Sequence, residues 1–274
     1  MRRIVLRLVA AGLLFASGLS AARALDLSGD FVQGGFIVGR TDPGATVRIG
    51  DRPVRVSPEG LFAFGFGRDH GPTMVLHHVA ADGTVQDRTL TVKPRDYRIQ
   101  RIDGLPQKMV TPPADLLTRI RAENVKIAEV RALDTPVAFF GGHWIWPVIG
   151  PISGVFGSQR ILNGKPRRPH YGVDVAVPVG TPVVAPARGI VRLAETDLYY
   201  TGGTVILDHG AGVTSLYMHM DSVTVPVGQQ VAQGDQIGTV GATGRATGPH
   251  LDWRVNWFDE RLDPQLIVGP MPGQ

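Results

Sequence analysis

The chain of 274 residues is 43% hydrophobic and contains 35 glycines, 21 prolines and no cysteine. This composition can bury a core and excludes disordered and collagen-like chains, and the length suits one large domain or two modest ones. The lack of cysteine excludes disulfides, cysteine-ligated zinc, thiol nucleophiles and a lipid anchor on cysteine. The formal charge of +4 first suggests nucleic-acid binding, which depends on where the basic residues lie.

The first 24 residues account for the whole charge excess. They contain four arginines and no acidic residue, with an apolar run from Leu8 to about Leu19 and the small-x-small end Ala22-Arg23-Ala24. This pattern is typical of a cleaved signal peptide, and the run is short for an uncleaved membrane anchor, which is the alternative. The rest of the chain has 24 basic and 24 acidic residues. We therefore expect no nucleic-acid binding, no membrane span after cleavage, and export to the periplasm, with secretion as the alternative.

Residues 25–95 alternate short apolar runs with turn signals. Pro43-Gly44 and Asp82-Gly83 are examples of these turns, and Leu61 to Phe66 is one of the runs. Such spacing predicts a small antiparallel β-sandwich of the immunoglobulin-like type. Residues 96–145 form a connector, in which Thr111-Pro112-Pro113 predicts a helix start and apolar residues recur on one face to about Leu133. This helix is expected to pack on a neighbour, and partner binding is the alternative.

Residues 146–268 return to short Val- and Ile-rich runs separated by Gly- and Pro-containing turns. This pattern predicts a compact antiparallel β domain, followed by a tail at 269–274. The fold class expected for the whole chain is thus mostly β, with a β-sandwich, one connector helix and a second β domain.

The second β domain contains two pairs of candidate metal ligands. His170 and Asp174 lie about 13 Å apart on an extended strand, so a bend at Gly172 is needed to bring them to one ion. His250 and Asp252 are two residues apart, and a strand points both to the same face. Each pair taken alone is also compatible with ordinary surface residues.

Other histidines of this domain differ in what their surroundings predict. Period 2 places His219 on one strand face with Ser215 and Tyr217, opposite an apolar stripe, so it either lines a cleft or is a plain polar-face histidine. His209, at an expected turn, and His143, at the junction of two regions, are interpreted as structural residues.

Together these residues resemble a known family. His170-x-x-x-Asp174, Tyr217-Met218-His219 and Gly248-Pro249-His250-Leu251-Asp252-Trp253 follow the order and spacing of the lysostaphin-type, or LytM-like, zinc metallopeptidases. The resemblance covers roughly residues 146–268. It implies a small antiparallel β fold with a groove that holds one zinc ion, and hydrolysis of peptide bonds in peptidoglycan cross-links or stem peptides. It further implies that His170 and Asp174 bind zinc and that His219 and His250 assist catalysis.

The third zinc ligand of the family is a histidine, whereas this chain has Asp252. A carboxylate is a competent zinc ligand, but a set of one histidine and two aspartates cancels the charge of the metal and is expected to make it a weaker Lewis acid. An active zinc endopeptidase is the favoured interpretation because the other site positions are intact. The alternative is a non-hydrolytic LytM-like activator of a cell-wall amidase.

Two further hypotheses concern partners. A basic tract from Arg160 to Arg168 precedes His170, and Arg160, Asn163, Arg167 and Arg168 are candidate contacts for the carboxylates of peptidoglycan, with a solvated loop as the alternative. The front β region either binds glycan or a protein, covers the groove, or serves as a spacer. The expected partners are peptidoglycan and, for an activator, an amidase or another cell-division protein.

Overall fold

The structure is a computed structural model that describes residues 25–273, so the predicted signal peptide lies outside the described residues. The described chain is mostly β, as the sequence predicts. It has 20 short strands and one long helix, α2 (Ala114–Arg131), which lies where the apolar periodicity predicts it. Among the described residues, no helix is long and apolar enough to cross a membrane.

The front region forms two small antiparallel sheets. One has the strand order β1-β2-β5 and the other β4-β3-β6-β7. Its turns lie at glycines with positive φ, such as Gly44 and Gly83, which explains why the turn signals located the strands. Whether these sheets are immunoglobulin-like stays a prediction. The strands are β1 (Asp26–Gly29), β2 (Phe36–Arg40), β3 (Thr46–Ile49), β4 (Arg52–Val54), β5 (Leu61–Gly65), β6 (Thr73–Val79) and β7 (Val85–Thr91).

The connector contributes a strand as well as helices. Strand β8 (Ile99–Ile102) pairs in parallel with β10 (Gln159–Leu162), which also pairs with β11 (Lys165–Pro166). The short helix α1 (Gln107–Val110) follows β8, and a 3₁₀ turn at Phe139–Gly141 ends the connector. Helix α2 packs Ile127 and Val130 against apolar side chains of the large sheet, so this face of the helix contacts the protein itself.

The remaining strands form one ten-stranded sheet with the main order β17-β14-β15-β16-β19-β12-β9. Its central strands β15 and β16 are buried over nearly their whole length. The strands are β9 (Ile152–Gly154), β12 (Val173–Val175), β13 (Pro182–Val184), β14 (Gly189–Leu198), β15 (Gly202–Gly210), β16 (Val213–Val223), β17 (Gln230–Val231), β18 (Gln236–Val240), β19 (Leu251–Trp257) and β20 (Glu260–Leu262), and helix α3 (Pro264–Val268) follows.

The core is shared between the front sheets and the large sheet. Phe36, Phe64 and Leu76 belong to the same buried cluster as Tyr217 and Trp253. The packing is tight, since a Cβ on Gly65 of β5 would lie 2.4 Å from the side chain of Leu262 in β20. The large sheet is therefore supported from the front region by continuous apolar contact.

Candidate metal centre

Three predicted ligands meet on the large sheet. Asp174 of β12 and Asp252 of β19 are directly opposite each other in the antiparallel register, so their carboxylates are cross-strand neighbours. The chain bends at Gly172, and this bend brings His170 back onto Asp174 as the sequence requires. The Nε2 atom of His170 lies 3.0 Å from Oδ1 of Asp174 and 3.3 Å from Oδ2 of Asp252.

These donor atoms fit a single metal ion. They lie within 4.8 Å of one another, and all three residues are buried. His170 Nε2 and Asp174 Oδ1 are close but not aligned as a hydrogen bond, and each is buried without a hydrogen-bond partner. Donors bound at about 2.0–2.2 Å to a tetrahedral zinc lie roughly 3.3–3.6 Å apart. The distances of 3.0 and 3.3 Å from His170 Nε2 to the two carboxylates are close to that spacing. Buried polar atoms normally have partners, and a bound cation would be the partner that these atoms lack.

An arginine accompanies each carboxylate. Arg160 donates one hydrogen bond to Asp174 Oδ2 at 2.9 Å, while Arg254 donates two to Asp252, from Nε to Oδ1 at 2.9 Å and from Nη2 to Oδ2 at 2.7 Å. Burial alone would raise the pKa of Asp252, but Arg254 and His170 outweigh it and hold that pKa well below its usual value. Against the effect of burial, His170 and Arg160 also lower the pKa of Asp174, so both carboxylates are ionised and able to bind a metal.

His219 reaches the site through a bulge rather than through strand alternation. The β15–β16 register shifts by one residue beside it, and His219 adopts a left-handed conformation with φ of 63°. The hydroxyls of Ser215 and Tyr217 bond to each other in the core, whereas His219 lines the groove, so His219 does not share their surroundings. The bulge breaks the period of 2 and turns His219 toward His250, with 4.7 Å between the ring centroids.

The two imidazoles are held in the same tautomer. Nδ1 of His219 donates to the carbonyl of Thr243 and Nδ1 of His250 to that of Gly248, each at 2.8 Å. A carbonyl accepts only, so in the neutral rings Nε2 is the unprotonated nitrogen. Burial lowers the pKa of His219 to about 4, which makes this ring neutral at pH 7. Nε2 of His250 lies 4.0 Å from Oδ1 of Asp174.

The site opens into a groove of about 300 Å³. The connector strand β8 and α1 region form one wall, and the turn before β19 forms another. Arg245, which stacks on the Tyr200 ring at 4.5 Å, adds a second positive charge beside Arg160. The lining residues include Gln100, Ile102, Leu105, Ser153, Arg160, Leu162, Asp174, His219, Arg245 and His250.

Of the four predicted substrate contacts, only Arg160 lines this groove. Asn163 bonds to the backbone N–H and carbonyl of Leu105, and Arg167 donates to the carbonyl of Val110. These two side chains tie the basic tract to the connector, and Arg168 is exposed outside the groove. The spacing along the sequence gave no sign of these bonds because they depend on the pairing of β8 with β10.

Sequence reasoning missed Arg254 and Arg245. Arg254 is two residues after Asp252, so the period of 2 that paired His250 with Asp252 also places Arg254 on that face. His209, interpreted as structural, is buried and joined to Ser215 Oγ through Nε2 at 2.7 Å, and the Ser215 hydroxyl contacts the Tyr217 hydroxyl at 2.7 Å. This chain of hydrogen bonds lies in the core, and its residues do not line the groove.

Comparisons with known proteins agree with this geometry. Residues 168–264 match the model of Peptidase family M23. A crystal structure described as a peptidase M23 from Pseudomonas aeruginosa is 32% identical with a TM-score of 0.69, and the match covers 87% of this chain and 95% of that one. The chain belongs to peptidase family M23. The resemblance to the lysostaphin-type peptidases, which are M23 proteins, is therefore confirmed.

Curated relatives are similar to a part of this M23 chain. The peptidoglycan DD-endopeptidase ShyA of Vibrio cholerae is 40% identical over 105 residues, which are 38% of this chain and 24% of ShyA. The DD-carboxypeptidase/endopeptidase Mpg of Neisseria meningitidis is 36% identical over 133 residues, 48% of this chain and 30% of Mpg. The matches thus span between a quarter and a third of these relatives.

Proposed function

We infer that the protein is a zinc-dependent endopeptidase that hydrolyses peptide bonds of peptidoglycan. One observation carries this proposal: three buried donors, two of them without a hydrogen-bond partner, converge on one point beneath two imidazoles at an open groove. The similarity to ShyA, a peptidoglycan DD-endopeptidase, supports peptidoglycan as the substrate. Export to the periplasm belongs to the same proposal, because a substrate in the cell wall lies outside the cytoplasm.

The proposed residue roles follow from the tautomers. His170, Asp174 and Asp252 would hold zinc, which when bound polarises the scissile carbonyl and lowers the pKa of water. Nε2 of a neutral imidazole accepts a proton from water as its oxygen attacks the carbonyl carbon, and the same proton then passes to the leaving amine nitrogen. His219 suits this task because its ring is neutral and its Nδ1 is fixed by Thr243. His250 faces it in the same tautomer, so its Nε2 can accept a hydrogen bond from the water and orient it.

The groove favours a substrate that carries negative charge. Arg160 and Arg245 are both on its lining, and Arg160 uses only one nitrogen in its bond to Asp174. Stem peptides of peptidoglycan carry free carboxylates, which guanidinium groups bind well. The apolar side chains of Ile102 and Leu105, from the connector, also line the groove. We therefore expect an acidic peptide to bind along the connector side of the groove.

A second candidate function is activation of a separate cell-wall amidase without hydrolysis. Asp252 in place of the family histidine favours it, and so does the bidentate grip of Arg254 on both oxygens of that ligand. The complete ligand and histidine set weighs toward hydrolysis, since an activator needs no unpartnered buried donors. Burying such atoms without partners destabilises the fold, and a domain that only binds another protein has no use for them.

The deciding experiment measures muropeptides released from purified sacculi by mass spectrometry. The protein is incubated with zinc and with chelator, beside the His170→Ala variant and the control His77→Ala, whose histidine pairs with Asp87 in the front region. We expect release of peptide fragments that zinc supports and that both chelator and H170A abolish. No release by the wild-type protein, together with stimulation of an added amidase, would favour the activator.

A further inference from the structure

Asp252 and Arg254 form a buried ion pair at the edge of the candidate metal centre. They are i and i+2 on β19 and so point to the same face, where the guanidinium meets the carboxylate through two parallel hydrogen bonds. The Asp252 side chain is 1% exposed and that of Arg254 is 22% exposed. Water therefore screens the pair little, and each charge depends on the other.

The surrounding chain leaves room for this pair. A Cβ at Gly172 would lie 2.5 Å from Cγ of Arg254 and 2.9 Å from Oδ1 of Asp252. Real Cβ atoms do not approach so closely, so only glycine lets the bend between His170 and Asp174 pass over the arginine. Gly172 therefore has two roles: it forms the bend that joins His170 to Asp174, and it leaves space for the Asp252–Arg254 pair.

The pair leaves Asp252 able to bind a metal. Each carboxylate oxygen has two lone pairs, so Oδ2 can accept from Arg254 and still face His170 Nε2 at 3.3 Å. A carboxylate in place of a neutral imidazole adds one negative charge to the ligand set. The guanidinium of Arg254 cancels the charge that Asp252 adds. Arg160 pairs with the other carboxylate ligand, Asp174, so replacing histidine by aspartate at position 252 does not change its pairing.

We propose that Arg254 is a positioning residue and the counter-ion of Asp252: the Asp252–Arg254 pair occupies the place of an imidazole as one neutral unit. Arg254 holds the carboxylate in place when no metal is bound and offsets its charge when one is. This inference rests on the proposed function for the identity of the metal. It also removes the reason, drawn from the sequence, to expect a weaker Lewis acid, because the ligand set regains the net charge of two histidines and one aspartate.

The test uses the purified protein with Arg254→Met, Arg254→Lys and Arg192→Met. Arg192 is the matched control, because it pairs with the buried Asp208 of the same sheet away from the groove. Melting temperature is measured without zinc, and zinc affinity by competition with a chelator. We expect R254M to lower the zinc-free melting temperature by about 5 °C or more, since it leaves a buried carboxylate unpaired.

In R254M no guanidinium offsets the charge of Asp252, so zinc should bind at least about threefold more tightly. R254K keeps the charge but loses the fork, so both changes should be smaller. R192M should lower the melting temperature and leave zinc affinity unchanged. In the Asp252→His background, R254M should no longer lower the melting temperature, because no carboxylate is left unpaired.

Weaker zinc binding by R254M would overturn the proposal, since Arg254 would then serve the metal by orientation alone. An unchanged zinc-free melting temperature would overturn it, and so would an equal loss in the D252H background. Failure of the wild-type protein to bind zinc contradicts the proposed function instead. The zinc-free comparison of R254M in the two backgrounds still decides whether Arg254 is the counter-ion of residue 252.

Discussion

The front sheets and the ten-stranded sheet bury polar groups very differently. In the front sheets the buried polar pair is Thr41 and His78, which bond to each other at 2.6 Å. The region of the large sheet buries His170, Asp174 and Asp252, and among their atoms His170 Nε2 and Asp174 Oδ1 have no hydrogen-bond partner. Burying an unsatisfied polar group costs free energy. The front sheets avoid this cost, whereas the large sheet retains unsatisfied groups that can bind a metal.

The same contrast exists between two aspartates of the large sheet. Asp208 is fully buried and accepts from Arg192 Nε, Thr135 Oγ1 and the backbone N–H of Gly210. Asp174 is also buried, yet its Oδ1 has no hydrogen-bond partner. A buried carboxylate is therefore no sign of a metal site by itself. A metal site is indicated instead by a buried carboxylate oxygen that has no hydrogen-bond partner and lies close to other potential metal ligands.

The largest expected effect separates the two regions by activity. His170→Ala removes the central donor, so zinc content and hydrolysis of sacculi should both fall to background. The matched change His77→Ala in the front region should leave both unchanged, because the His77 side chain is 40% exposed and pairs with Asp87, far along the chain from the site. Zinc analysis and muropeptide release measure the two variants together. Equal losses in both would show that the contrast between the regions does not concern chemistry.

A smaller loss is expected from the histidines that do not bind zinc. His219→Ala removes a proton acceptor but no ligand, so kcat should fall about 10²- to 10⁴-fold while zinc stays bound. His143→Ala is the control, as that histidine is exposed outside the groove. Steady-state kinetics and zinc analysis check this. Loss of zinc from H219A would instead mean that the bulge supports the ligands.

The buried histidine of the core should make stability fall in mild acid. Burial lowers the pKa of His209 from 6.5 to about 4, so the unfolded chain binds a proton that the folded chain excludes. Stability is therefore lost as the pH falls from about 6.5 to 4, by roughly 3 kcal/mol from this residue. Urea unfolding at pH 7 and pH 5 should show a shallower pH dependence for His209→Gln than for wild type. A His77→Gln control should keep the full dependence.

The smallest effect tests close packing at two glycines. Gly172→Ala forces a Cβ against Arg254 and the carbonyl of Trp253, so we expect a loss of about 1–3 kcal/mol and weaker zinc binding. Gly71→Ala in the front region meets no atom within 4 Å and should change stability by less than about 0.5 kcal/mol. Denaturant unfolding compares the two. Equal stability of both variants would contradict the tight approach at Gly172.

Much of the fold was predictable because its signals are local. Glycine turns and alternating runs predicted a mostly β chain, and the prolines before Ala114 predicted the start of α2. The parallel pairing of β8 with β10 was not predictable, since residues some 60 positions apart meet there and no local pattern encodes it. Because of that pairing, Asn163 and Arg167 bond to the connector, whereas Arg160 lines the groove.

By itself the sequence determined which residues are candidates for the metal centre, because their types, order and spacing along the chain resemble those of the lysostaphin-type peptidases. Five residues were chosen that way, and the structure brings them together: His170, Asp174, His219, His250 and Asp252. Asp174, His219 and His250 line one groove. Only the tertiary structure decided how they meet. The bulge at His219, the bend at Gly172 and the counter-ion role inferred for Arg254 each depend on a neighbouring strand, and strand pairing is a long-range contact that local sequence does not fix.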